Sequence, residues 1–212
     1  MIEVGQEKSN TRTSVYALVV CVAGFALGVL TVFAQAWLPH EMGSLANSSG
    51  SWALVAFLLA LLASNRSTAA VFGFLALITL LGGYVIGGEA RDITSSSGLI
   101  AFWGLAAVIV RPTLGLCAHW IKTDRGYLAA IGIGVMSGVL IGEGVYGLTY
   151  IADTTYPPYW WVEIAVGAAL LSWVVVRRVR GAWPAVTALA SSLVVAGAFV
   201  AIYSQDLVSL FP

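Results

Sequence analysis

Charge is scarce in this chain. Only 9% of its 212 residues are Asp, Glu, Lys or Arg, against about 25% in ordinary soluble domains. Ten basic residues balance ten acidic ones. That balance excludes the basic footprint of a nucleic-acid binder, and the apolar content excludes a disordered chain. Lysine occurs only as Lys8 and Lys122, neither of them in the last apolar stretch. A Schiff base on a final helix is therefore excluded. The two cysteines, Cys21 and Cys117, are too few for a disulfide framework and read as small buried apolar residues. No H-E-x-x-H, Walker loop or nucleophile elbow occurs. Ser95, Ser96 and Ser97 read as a loop and helix cap rather than as nucleophiles. The expectation is a non-enzymatic protein without cofactor or metal.

What is abundant is apolar surface. Hydrophobic residues make up 59% of the chain, and the mean hydropathy is +0.92. Such a chain needs lipid in place of water around most of its surface, so it reads as an all-α, polytopic transmembrane helical bundle. Seven stretches approach the roughly 20 residues a crossing requires: 14–38, 48–64, 68–86, 97–121, 126–151, 158–176 and 183–203. The apolar runs do not alternate with period two, which argues against a β-barrel. Short connections leave one integral membrane domain over 1–212, of which 1–13 is a short cytoplasmic N-terminal tail.

Threading seven spans alternately places Lys8, Arg12, Arg66, Lys122, Arg125, Arg177, Arg178 and Arg180 on one side. The positive-inside rule makes that side cytoplasmic, with the C-terminus outside, in the cell membrane. Ala34-Gln35-Ala36 mimics a signal-peptidase site, but the apolar core before it is longer than a signal peptide's, so an uncleaved span is expected. His40 and His119 fall on opposite sides, which argues against a shared metal or haem.

Small residues mark close helix contacts. Gly134, Gly138 and Gly142 continue a four-residue repeat begun by Gly126 and Ala130, and Gly24 and Gly28 form a shorter pair. In lipid such stripes let helix backbones approach, either within the chain or against a partner membrane protein or a second copy. Pro112, just after Arg111, predicts a kink in the fourth span.

Charges within spans are expensive and mark function. Arg111 and Glu143 could pair, or each could snorkel to its nearer interface. Glu163 lies about one turn inside the sixth span. The second span is also anomalous: its apolar part, 52–63, is about 18 Å long and follows the polar run Gly43-Ser44-Leu45-Ala46-Asn47-Ser48-Ser49-Gly50-Ser51. Such a segment either caps a helix at the interface, through Asn47 or Ser48, or lines a wet cavity at membrane depth.

Acids gather on the outer side, as Glu41, Glu89, Asp92, Asp153 and Asp206. So do aromatics, among them Trp37, Trp52, Tyr84, Tyr146, Tyr150, Tyr159, Trp160 and Trp161. They form an interfacial belt or the walls of an outward-facing pocket for a small, cationic solute. For that pocket the candidate contacts are Gln35, His40, Asn47, Trp52, Glu143, Tyr146, Trp160 and Glu163. The alternative is a structural or assembly-factor protein that meets a partner through its small-residue faces.

The run Gln35-Ala36-Trp37-Leu38-Pro39, with Leu45-Ala46-Asn47-Ser48, Trp52 and Gly115-Leu116-Cys117-Ala118-His119-Trp120, resembles a family of small bacterial multi-pass membrane proteins known only as a domain of unknown function. That resemblance implies the bundle and no activity. A weaker one, through Gly24 and Gly28 in the first span, is to substrate-binding S components of energy-coupling-factor transporters. It implies an external ligand pocket and a coupling partner.

Overall fold

The computed structural model of the chain describes the backbone of residues 2–93 and 97–205, with side chains from Thr11 onward except at 99, 102, 103 and 106–111. Ser95, Ser96, Asp206 and the side chains of Lys8 and Arg111 lie outside the described residues, and so does the Arg111–Glu143 pair considered above.

The described residues form helices and no strand. In chain order these are α1 (Ile2–Trp37), the short α2 (His40–Gly43), a 3-10 turn (Ser44–Ala46), α3 (Ser49–Ala60), α4 (Arg66–Glu89), α5 (Ser97–Thr123), α6 (Tyr127–Tyr150), α7 (Pro157–Arg177) and α8 (Ala182–Ser204). Each of the seven apolar stretches falls on one of the longer helices. The residues read as an N-terminal tail continue the helix of the first stretch, because α1 begins at Ile2. Among the described residues five helices, α1, α4, α6, α7 and α8, are long and apolar enough to cross a membrane. The protein is a multi-pass helical membrane protein.

Local chemistry sets the boundaries. Ser48 caps α3 by accepting the Ser51 N–H at 2.9 Å, and Asn65 caps α4 through Thr68 N–H. Pro157 and Pro158 open α7, where a missing N–H costs nothing. Gly181 precedes α8 at φ 103°, a left-handed conformation that favours glycine. α5 runs through Pro112 as a single helix.

α6 is the central helix. Of its most apolar window 67% is buried, against 17% for α8. α8 and α7 pack on α6, α1 packs on α4, and α3 lies among α4, α5 and α6. Phe72, Leu80, Leu114, Ile133 and Met136 fill the centre. Leu18, Val22, Val176, Leu193 and Val194 point outward, as lipid-facing residues do.

The glycine stripes are used within the chain. A Cβ at Gly24 would meet the Ala76 carbonyl and Thr79 of α4, and one at Gly28 would meet the Leu80 carbonyl. Gly134, Gly138 and Gly142 face Ala188–Ser191, Ser192–Val195 and Ala196–Phe199 of α8 in the same way. Gly126, at the start of the repeat, has only Asp124 nearby. Leucine at Gly28 is expected to force α1 off α4 and to cost about 1–3 kcal/mol. A lowered melting midpoint in detergent micelles, with faster proteolysis of α1, would report it. Cys21 and Cys117 are free thiols, the latter buried.

Candidate functional site

α3 is the unusual element. Its 12 residues rise about 18 Å, little more than half of a hydrocarbon core about 30 Å thick. Its first turn lies beside Glu143, about two turns before the end of α6, and Glu163, in the second turn of α7. The helix therefore starts inside the bundle, where its orphan N–H groups need acceptors from the protein.

Glu143 supplies the acceptors. Ser49 N–H donates to Glu143 Oε1 at 2.8 Å. Gly50 N–H and Ser48 Oγ donate to Glu143 Oε2, the hydroxyl at 2.9 Å. A carboxylate at a helix N-terminus also meets the positive end of the helix dipole. The other pole is treated in kind: Lys122 Nζ donates to the carbonyls of Leu61 and Ala63, each at 3.0 Å. A helix of three turns thus has a carboxylate at one end and an ammonium at the other, both from residues far away in sequence.

Glu163 completes the cluster. Its Oε1 lies 3.1 Å from Ser48 Oγ, while its Oε2 is buried with no hydrogen-bond partner among the described residues. α6 and α7 bring the two acids together by close approach. Gly147 receives the Trp160 ring, Gly144 receives Ile164, and Gly167 faces Leu140 and the Ser137 carbonyl. Gly50 leaves the space between the carboxylates: a Cβ there would lie 2.5 Å from Glu163 Oε1 and 2.6 Å from Glu143 Oε2. Two phenols close the rim, Tyr203 bonded to Ser49 Oγ at 2.7 Å and Tyr159 at 3.4 Å from Ser51 Oγ.

On the other side of the same turn is a cavity of about 200 Å³. Gln35, Asn47, Ser48, Ser49, Trp52 and Tyr84 give it polar and aromatic walls, over Leu81 and Val85. Gln35 Nε2 donates to Asn47 Oδ1 at 2.7 Å, and Asn47 Nδ2 donates to the Gly43 carbonyl at 3.1 Å. The Trp52 and Tyr84 rings meet edge to face at 5.6 Å.

A family profile defined as a family of unknown function (DUF6518) matches residues 7–208. The chain belongs to the DUF6518 family. No curated protein and no solved structure matches it, so the likeness to S components finds no support.

Of the residues singled out from this DUF6518 sequence, Gln35, Asn47 and Trp52 line the cavity. Glu143 and Glu163 stand behind its wall, held by Ser48 rather than lining it. Three others lie elsewhere. His40 is exposed at the start of α2. Tyr146 stacks on Tyr150 at 5.3 Å and meets Tyr203 edge-on. Trp160 is buried on Gly147, its indole N–H donating to Thr155 Oγ1 at 2.8 Å. These three belong to the loop or to helix contacts, because the α6–α7 approach uses the aromatic surface that a pocket there would need. The polar run before Trp52 is at once a cap, through Ser48, and a cavity wall. Sequence reading singled out the run that holds Ser49 and Gly50, ahead of an apolar helix too short to span, but did not place those two beside the acids, and it missed Tyr203.

Proposed function

We propose that this protein binds a small polar solute in the cavity at the first turn of α3 and moves it across the cell membrane, without being an enzyme. The observation that carries the reading is the cavity's position on the N-terminus of a half-length helix that starts inside the bundle. Broken helices of this kind line binding sites in transporters, and irregular backbone at membrane depth is tolerated where it borders a cavity. In this reading seven helices thread the membrane, the basic loops face the cytoplasm, and the cavity faces outward.

The solute is smaller than the ligands of ordinary sites, whose volumes run from about 300 Å³ upward. Its polar groups meet the Gln35 and Asn47 amides, and its flat or cationic part meets Trp52 and Tyr84. A strongly cationic solute is the less favoured form, since the Glu143 carboxylate is already occupied by three donors. The scaffold alternative relied on the glycine stripes of α1 and α6, and those are filled by α4 and α8.

The test is mass spectrometry of small molecules that co-purify with the full chain. A retained compound is expected from wild type and is expected to be lost, by tenfold or more, in Asn47→Leu and in Trp52→Ala. A compound retained equally by both variants would place binding elsewhere.

A further inference from the structure

Two carboxylates share one serine hydroxyl. Ser48 Oγ is 2.9 Å from Glu143 Oε2 and 3.1 Å from Glu163 Oε1, and it accepts the Ser51 N–H at 2.9 Å. A hydroxyl has one hydrogen and two lone pairs, so it cannot donate to both acids. Glu143 receives N–H donors on both oxygens, from Ser49 and Gly50. It is therefore held as a pure acceptor, and the Ser48 hydrogen completes its set. The contact from Ser48 to Glu163 then closes only if Glu163 brings a hydrogen of its own. That hydrogen fills the second lone pair of Ser48 Oγ.

We propose that Glu163 is a proton-binding site, carrying its proton on the oxygen that faces Ser48 beside an ionised Glu143.

A second, independent observation agrees. Glu163 is 6% exposed and its Oε2 has no hydrogen-bond partner among the described residues. A bare oxygen of this kind is tolerable as the carbonyl of a neutral acid and far more costly as half of a carboxylate. A metal ion is a poorer occupant, because three donor hydrogens already point at Glu143. Among the described residues the titratable groups that face the site are Glu143 from α6, Tyr159 from α7 and Tyr203 from α8, with Tyr146 on the far side of Tyr203. From α4, Tyr84 faces the cavity on the far side of Ser48, and Lys122 of α5 is at the opposite pole of α3.

Ser48 and Ser49 belong to both the acid cluster and the cavity wall. A solute that shifts the first turn of α3 also shifts the hydroxyl on which the proton rests. The proton is thus the ion that would accompany the solute. This coupling rests on the cavity reading above, while the proton site itself needs no solute.

The test is infrared spectroscopy of the purified full chain in lipid nanodiscs at neutral pH, in H₂O and in D₂O. Wild type is expected to show the carbonyl stretching band of one protonated carboxylic acid, moving on deuteration. Glu163→Gln is expected to lose it completely. Glutamine keeps the shape and the donor edge of the neutral acid, so this variant is expected to fold and melt near wild type. No such band in wild type, a band that survives in Glu163→Gln, or a Glu163→Gln chain that does not fold would each overturn the proposal. Because no solute enters the measurement, its failure leaves the cavity reading standing. Conversely, failure to find a retained compound leaves the band to be explained.

Discussion

Replacing Glu143 with alanine is expected to destabilise the protein by about 3–5 kcal/mol, the range for removing one partner from a buried charged arrangement. The change leaves the N–H groups of Ser49 and Gly50 and the Ser48 hydroxyl without their acceptor, and it leaves the positive pole of α3 without its counter-charge. Hydrogen bonds to a charged group are worth about 1.5–3 kcal/mol each, so three of them dominate the local energetics. Glu143→Gln retains one acceptor oxygen and is expected to fall between wild type and alanine. Melting midpoints in detergent micelles would rank the three. A midpoint for Glu143→Ala equal to wild type would mean that water reaches the first turn of α3 and replaces the carboxylate.

Adding one methyl group at Gly50 is expected to cost about 2–4 kcal/mol, from overpacking together with at least one lost hydrogen bond. The new carbon would fall between the two acids, 2.5 Å from Glu163 Oε1, 2.6 Å from Glu143 Oε2 and 3.0 Å from Leu140 Cδ2. None of the three can retreat cheaply. Glu143 is tied to the α3 backbone, Glu163 to Ser48, and Leu140 is 2% exposed. Either α3 shifts away from α6 or a carboxylate leaves its donors. Gly50→Ala should therefore lower the melting midpoint and, under the proton-site proposal, alter the carboxylic acid band. Alanine tolerated at Gly50 with both properties unchanged would show that the two acids stand farther apart than this geometry has them. Gly43, which has nothing within 4 Å of a built Cβ, is the control and should accept alanine.

The helices were legible because each is a long apolar run bounded by turn chemistry. Continuous hydrophobic length is a one-dimensional property, and so are the caps at Ser48 and Asn65 and the prolines at the start of α7. The stripes at Gly24, Gly28, Gly134, Gly138 and Gly142 announced close contacts for the same reason: a fixed spacing on a helix is a face. Which helix each stripe met was not legible. α1 could have met α8 or a partner, and the choice of α4 depends on Gly83 and Gly87 offering a matching face toward Phe25 and Val29.

The acids show the same divide. Glu143 and Glu163 stood out because charge inside an apolar run is costly wherever it lies. Arg111, the other charge in a span, was the partner that the sequence suggested for Glu143, unless each snorkels to its nearer interface. Among the described residues the partners of Glu143 are the backbone N–H groups of Ser49 and Gly50 and the Ser48 hydroxyl, and backbone donors have no signature in side-chain identity. Every residue but proline carries that donor, and only a helix that begins out of reach of water leaves it available. His40, Tyr146 and Trp160 were drawn toward the pocket by residue type and depth alone. Depth along a span says how far a residue lies from the interface and nothing about its azimuth.

By itself, then, the sequence determined the solvent of this protein, its helical class, the shortness of α3 and the few residues where burial is expensive. Each of these follows from local hydrophobicity and from the cost of desolvating charge. Only the tertiary structure decided that α3 is fastened at its poles by Glu143 and Lys122, that Glu143 and Glu163 share the Ser48 hydroxyl, and that Gln35, Asn47, Trp52 and Tyr84 line one cavity. Those are relations among residues up to 115 positions apart. They arise when glycine faces let particular helix pairs approach, and no stretch of chain read alone contains them.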